Sequence, residues 1–494
     1  NGLGLSYNDA RSHLDIGRRV VEGLKPGFAQ LGSVWLPLPH ILMVPTIWND
    51  FMWHSGLSGA IVSMISFVGT GLLIYYFLRE IGVKMLGRLV GVAVFVANVN
   101  VLYLQSTAMT ELLLIGTMTA VVYELLLFFK NGRIPNVIKA ALWIMLSTLV
   151  RYDGWFLLAF STFLVSIEVF RRKGYKVTEG VILFFATLAG FGIFLWVMWN
   201  LLIFKDPLYF IFGPYSAHAQ QQQLAAAGVL PTQGNLFFSI KTYLYALAYN
   251  SNTFILILGT IGAVVFWADK KISTSIKIVS TALFAPLIFN ILALYMGQSV
   301  LFIQGLTGST WFNARYGIML MPSLAIFIGY LVYRVSSLRH VIIGLMAFVL
   351  FFSFANSDAV TIDDARVGSS QKNVSEVSNW LAKNTKDKEG FILISAASHD
   401  AIIFSSGLPM AKYIHEGTGS YWNTATTSPD RWARWIVMRT NDVNDQTFKL
   451  VSKTTSFKNG DYILVDHYPF ADIYEIKPEL VNKLNTKPSL GKQK

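Results

Sequence analysis

From residue 58 to residue 356 the chain reads as apolar runs separated by short polar joints. Ten runs are legible, at 58–78, 89–104, 110–129, 137–150, 155–170, 180–204, 251–268, 278–296, 316–333 and 340–356. A helix needs about 20 apolar residues to cross ~30 Å of hydrocarbon. Lipid offers the backbone no hydrogen bonds, so these runs predict a polytopic α-helical membrane bundle. Run 137–150 is the weakest and extends toward a neighbouring loop. Segments 1–57 and 357–494 lack such runs. In the first, Ile16, Val20 and Val21 stand apart from polar neighbours, as on an amphipathic helix. In the second, Gly390–Ser395 and Asp461–Asp466 are short, apolar and bounded by turn residues, the pattern of buried strands. Val374–Ala382 and Asp445–Val451 have helical spacing. The expected organisation is a first loop with amphipathic helices (1–57), a transmembrane bundle (58–356) and an α/β domain (357–494).

Composition sharpens this picture. Of 494 residues, 53% are hydrophobic and 14% charged, against about a quarter charged in soluble domains. A soluble enzyme is excluded, and the 14% aromatic content excludes a disordered chain. With no Cys there is no thiolate nucleophile, disulfide framework or Cys-ligated zinc. The net charge of +12 lies almost wholly in one part: residues 1–356 hold 23 Lys/Arg against 12 Asp/Glu, and residues 357–494 hold 17 against 16. Basicity in the apolar part argues against nucleic acid as a partner. Five alternate short loops, 79–88, 130–139, 171–176, 269–277 and 334–339, together carry 15 Lys/Arg. The positive-inside rule makes these loops cytoplasmic and puts 1–57, 205–250 and 357–494 on the extracytoplasmic side. The sequence opens at Asn1 without an initiator Met. A preceding membrane helix, giving eleven spans instead of ten, and a cleaved signal peptide both fit that start.

Polar residues at the extracytoplasmic ends of the spans are the candidates for chemistry, because ionisable groups near the bilayer are costly. In Tyr7–Arg19, Asp9 and His13 are four apart and share a helical face; Asp15 continues the decoration. A surface helix with solvated charges fits Arg18 and Arg19, and an N-cap role fits Asn8 or Asp9. In Gln30–His40, Pro37 and Pro39 precede a helical run, and His40 fits either a cap or a two-His, one-carboxylate metal set with Asp9 and His13. A divalent metal is therefore an open option. Glu111 opens a span after a very short loop, where the helix dipole alone contributes under ~1 kcal/mol. Arg151 and Arg315 supply planar guanidinium forks suited to phosphate. Arg151 has Asp153 within its own turn to pair with, whereas Arg315 has no neighbouring acid in sequence.

An acid in the first outer loop, a second in the next short one, many spans and an outer C-terminal domain resemble the GT-C superfamily of glycosyltransferases. The branch most resembled contains the protein O-mannosyltransferases and the lipid A aminoarabinose transferase. Asn8-Asp9-Ala10 and Trp35-Leu-Pro-Leu-Pro-His40 are the most family-like stretches, and the layout extends over residues 1–356. The Trp-Trp-Asp signature of oligosaccharyltransferase catalytic subunits is absent. The resemblance implies a polyprenyl- or dolichyl-phosphate sugar donor, with transfer of a hexosyl or pentosyl group. It also implies inversion at the anomeric carbon, membrane lipid as a partner, and a protein, lipid or polysaccharide acceptor. On that basis Asp9 is the expected general base and Glu111 orients a substrate. Arg315, with Arg151, holds the phosphate, and Tyr7, His13, His40 and Asp153 complete the substrate site. In-line inversion further leads us to expect a sugar-sized gap between Asp9 and Arg315. The rival reading is a transporter or flippase of a lipid-linked or amphipathic solute, which would call for internal repeats and midplane helix breaks.

Overall fold

The structure, a computed structural model, describes residues 3–213, 216–226, 228–368 and 371–488. Chain order begins with α1 (Asn8–Val21), α2 (Leu38–Ile47) and α3 (Asp50–His54). Tyr7 stands in extended conformation before α1, Asp9 lies in its first turn, and Arg18 and Arg19 lie in its last. Each charge thus complements its end of the helix dipole. Pro39 sits in the first turn of α2, where its missing N–H is not needed.

The bundle follows with α4 (Leu57–Glu80), α5 (Met85–Val96), α6 (Val99–Leu104), α7 (Glu111–Asn131), α8 (Ile134–Thr148), α9 (Asp153–Lys173) and α10 (Tyr175–Phe204). Two short helices, α11 (Tyr209–Phe212) and α12 (Ala217–Ala226), lead to α13 (Leu236–Ser251), α14 (Thr253–Ala268), α15 (Thr274–Ser280) and α16 (Ala285–Tyr295). A 3-10 turn, Ala314–Leu320, runs into α17 (Met321–Arg334), followed by α18 (Arg339–Ala355) and α19 (Val360–Gly368).

Among the described residues seven helical stretches are long and apolar enough to cross a membrane, or eight if one bent pair counts as a span. The chain is an integral membrane protein. Three of the ten runs behave differently, for local reasons. Run 89–104 breaks after Val96, where the Asn98 side chain accepts from the amides of Asn100 and Val101 and starts α6 afresh. Run 137–150 forms only the 15-residue α8. Run 251–268 is one arm of the α13–α14 pair, bent by 107° at the break; Asn252 there has φ +71°, outside helical space. The described residues of segment 205–250 are largely helical.

Within the bundle α17 is buried along nearly all its length, packed against α5 and α14. At the other extreme α18 buries only Met346 and leaves Phe348, Phe351 and Phe352 facing outward, as a helix surrounded by lipid tolerates.

The C-terminal domain adds α20 (Gln371–Thr385), β1 (Phe391–Ile394), α21 (Ala396–Ser406), β2 (Tyr413–Ile414), α22 (Ser420–Thr427), β3 (Ala433–Met438), α23 (Gln446–Val451), α24 (Thr455–Lys458), β4 (Tyr462–His467) and β5 (Asp472–Ile476). Its sheet runs in the order β2-β1-β3-β5-β4. The pairs among β2, β1 and β3 are parallel, and those among β3, β5 and β4 are antiparallel. The two segments expected as strands and the two expected as helices all appear. The domain rests on α1 through α21.

Candidate active site

Four sequence-distant segments meet where α1 packs against the bundle. Loop 105–110 delivers Glu111 to this place by close approach to α4. A Cβ at Gly59 would come within 2.3 Å of the Ala108 side chain, so only glycine admits the loop. The Ser63 hydroxyl on α4 donates to the carbonyls of Thr107 (2.9 Å) and Met109 (3.2 Å), fixing the same loop. Arg315 is delivered from the other side. Asn313 turns the chain with φ +55°, and Gly317 lets the following 3-10 turn press on α13, where a Cβ would meet the Ala246 carbonyl oxygen at 2.2 Å.

Arg315 is the hub. Its Nη2 donates to Asp9 Oδ2 at 2.7 Å and its Nε to Glu111 Oε1 at 2.9 Å. Nη1 lies 3.9 Å from Asp364 Oδ2. The guanidinium sits over the Tyr7 ring at 4.7 Å and the Tyr316 ring at 5.3 Å. Arg151 joins through Glu111, with Nη1 3.4 Å from Glu111 Oε1 and Nε 3.4 Å from Asp153 Oδ2. It also donates to the Thr110 hydroxyl at 3.4 Å and covers Tyr316 at 4.8 Å. The Tyr7 hydroxyl donates to the Thr361 carbonyl (2.8 Å) and to Asp364 (3.1 Å). Burial and the Asp364 charge push the Tyr7 phenol well above its ordinary value, so it remains a donor.

Asp9, Glu111, Arg315, Arg151, Asp153 and Tyr7 are therefore one cluster. The expected gap between Asp9 and Arg315 is absent, since the two are in direct hydrogen-bonded contact. Opposite charges in a partly dry place attract strongly, and no third group stands between them.

His13 and His40 form a separate pair one turn along α1. Their Nδ1 and Nε2 atoms are 2.9 Å apart, and His13 lies against the Trp35 ring at 4.4 Å between centroids. Burial, with the charges of Arg151 and Arg315, lowers His13 to about 3. It is neutral at physiological pH. The two-His, one-carboxylate set is not assembled. The imidazoles bond to each other, Asp9 is held by Arg315, and among the described residues no group of three or more metal-ligating side chains is gathered.

Asp364 and Thr361 were missed by sequence reasoning. The signal was the Asp363-Asp364 pair directly after the last apolar run, read instead as the opening of a polar domain. Asp400, on α21, stands apart from the Arg315 cluster. It meets Arg19 at 3.4 Å and faces the fully buried Asp15, whose Oδ1 accepts from Trp53 Nε1 at 3.1 Å. The neighbouring His399 pairs with Asp445 at 2.7 Å inside the domain, and His467 pairs with Asp472 at its surface.

The fold, a helical membrane bundle with a C-terminal sheet domain, is similar to that of solved membrane proteins. ArnT from Cupriavidus metallidurans, a lipid A aminoarabinose transferase, shares this fold in its complex with undecaprenyl phosphate. That match has a TM-score of 0.56 and 11% identity, covering 97% of this chain and 96% of that one. Its apo state matches at 0.55, with 10% identity over 95% and 94% of the two chains. The Archaeoglobus fulgidus oligosaccharyltransferase, in complex with Zn and sulfate, matches at 0.50 and 12% identity, over 87% of this chain and 64% of that one. No family model matches the sequence, and no curated protein matches it.

Proposed function

We propose that the chain is an inverting glycosyltransferase that moves a sugar from a polyprenyl or dolichyl phosphate to an acceptor hydroxyl on the extracytoplasmic face. The observation that carries this reading is the convergence of Asp9, Glu111, Arg151 and Arg315 at one end of an apolar bundle. The binding of undecaprenyl phosphate by a protein of the same fold supports a lipid-phosphate donor.

In the reaction, the bond from the anomeric carbon to the phosphate oxygen breaks and a bond from that carbon to the acceptor oxygen forms. The acceptor proton passes to the base, and the polyprenyl phosphate leaves with both electrons of the broken bond. Base and phosphate must flank the sugar. Asp9 and Arg315 touch, so they do not divide those two roles in this arrangement. Arg151 suits the phosphate better: its side chain is 21% exposed and its acidic partners stand at 3.4 Å. Asp9, 43% exposed, remains reachable as the base, and Arg315 fixes its orientation together with that of Glu111. The fixed charge of Arg151 stabilises the anion that develops on the departing phosphate.

Mass spectrometry of lipid extracted with the purified protein tests the reading. A polyprenyl or dolichyl phosphate sugar is the expected finding. Bound lipid without a phosphate sugar, together with flux of a lipid-linked solute across proteoliposomes, would replace it by the transporter reading.

A further inference from the structure

The break between α13 and α14 frees a backbone carbonyl, and what fills it leads back to the site. The carbonyl of Asn250 accepts from two buried amides, Asn98 Nδ2 at 2.8 Å and Asn100 Nδ2 at 3.0 Å. The Asn250 side chain donates to the carbonyls of Ala246 (2.8 Å) and Ala314 (2.7 Å), and Ala314 is the residue before Arg315. On its other side, Asn100 Oδ1 accepts from the Thr361 amide at 3.0 Å and from the Thr361 hydroxyl at 2.8 Å. The Thr361 carbonyl takes the Tyr7 hydroxyl, and Asp364, three residues on, takes the same hydroxyl and faces Arg315.

The bonds close a ring: Asn100 to Asn250, Asn250 to the segment bearing Arg315, Arg315 to Asp364, and α19 back to Asn100. Asn100, Asn250, Thr361, Arg315 and Asp364 are all buried. Each of these bonds costs more to break than an exposed one, because no water replaces it. Among the described residues Thr361 ties α19 to α6 in this way, and this bond acts with those of the Arg315 amide (3.5 Å) and the Tyr7 hydroxyl (3.1 Å) to Asp364 in setting where Asp364 stands.

We propose that Asn100 is a positioning residue: its amide locks α19 to the α13 break and thereby fixes Arg315, and through Arg315 the carboxylates of Asp9 and Glu111. The role in transfer rests on the function proposed above. The lock itself does not. Asn98 is the natural control, since it donates to the same carbonyl yet makes no bond to Thr361.

Asn98→Ser keeps the cap of α6 and removes that donor; Asn100→Ala removes both the donor and the acceptor for Thr361. Hydrogen exchange is measured on peptides spanning 360–367 and 314–320, in nanodiscs, alongside transfer from the donor lipid that co-purifies with the protein. Asn100→Ala is expected to speed exchange in both peptides and to lower kcat by about 100-fold, the cost of misplacing a reacting group by about 1 Å. KM for the donor lipid should change little, because Arg151 is not in the ring. Asn98→Ser should leave 360–367 protected and kcat within about 3-fold. Equal effects of the two variants on exchange and on kcat would make Asn100 a structural residue and overturn the proposal, as would unchanged exchange at 360–367 in Asn100→Ala. Absence of transfer by the wild type, with the exchange difference intact, would overturn the glycosyl-transfer reading and leave the lock standing.

Discussion

Asp9 and Glu111 contact the same guanidinium, yet removing their charges should have opposite consequences for folding and catalysis. Glu111 is fully buried, 2.9 Å from Arg315 and 3.4 Å from Arg151. Taking one partner from a buried ion pair leaves an uncompensated charge and costs about 3–5 kcal/mol. In Glu111→Gln the amide oxygen still accepts one bond and Arg315 keeps Asp9, so the low end, about 3 kcal/mol, is expected. Asp9 has a side chain 43% exposed. Solvent screens its pair, and the loss in Asp9→Asn is about 1 kcal/mol or less. At this chain length 1 kcal/mol moves Tm by roughly 2 °C or less, so Asp9→Asn should melt almost as the wild type does. Its transfer rate should nonetheless fall by about 10²–10⁴, the contribution of a positioned general base. The assay pairs thermal unfolding in detergent with transfer from polyprenyl phosphate sugars in proteoliposomes. Retention of more than about a tenth of the activity in Asp9→Asn would remove the base role, and a Tm loss matching that of Glu111→Gln would refute the burial argument.

Three further outcomes follow from other parts of the molecule. The seam between α1 and α21 buries Asp15 and Asp400 against Arg19, with Arg11, Ser12, Trp53 and Tyr413 around them; burial raises both carboxyls, and the Asp400 charge raises Asp15 further, against Arg19. A raised acid binds more protons folded than unfolded, so its stabilisation is complete below the ordinary Asp value of about 4 and is lost as pH rises through the raised one. His13, held at about 3, acts oppositely: its stabilisation is present above the ordinary His value of about 6.5 and is lost as pH falls toward 3. Tm against pH should show both slopes, and Asp15→Asn should flatten only the first. Gly317→Ala should force the 3-10 turn off α13, because the added methyl meets a backbone carbonyl, and transfer should fall more than Tm. Finally, the Cys-free chain permits a direct test of sidedness: in intact cells a membrane-impermeant maleimide should label Glu479→Cys and spare Lys173→Cys.

Much of the fold was legible because lipid is a strict solvent. It demands long apolar runs, and every run found in the sequence became helix. What the runs did not announce was where helices break. Asn98 and Asn252 stop them through side-chain caps and a left-handed backbone, local effects that hydropathy does not register. The acids and guanidiniums of the site stood out because charge at a span end is conspicuous. Asp364 escaped since it follows the last run, where acids are ordinary, and Asn100 escaped since an uncharged amide inside an apolar run carries no electrostatic signal. The Asp9–Arg315 contact, between residues 306 apart, could not be read from spacing at all.

That separation has a consequence for biogenesis. α1 presents Asp9 to Arg315 and turns Arg11, Arg19 and the capping Glu22 to the C-terminal domain, bonding there to Ser405, Asp400 and Met410. The helix leaves the ribosome first among these elements, and its partners on one side emerge only after residue 400. Vectorial synthesis therefore delivers an unfinished α1 to the translocon, with its charged flank waiting for the domain that follows the bundle. Termination between α18 and α21 would yield an inserted bundle on which α1 never settles, a product fit for quality-control proteases.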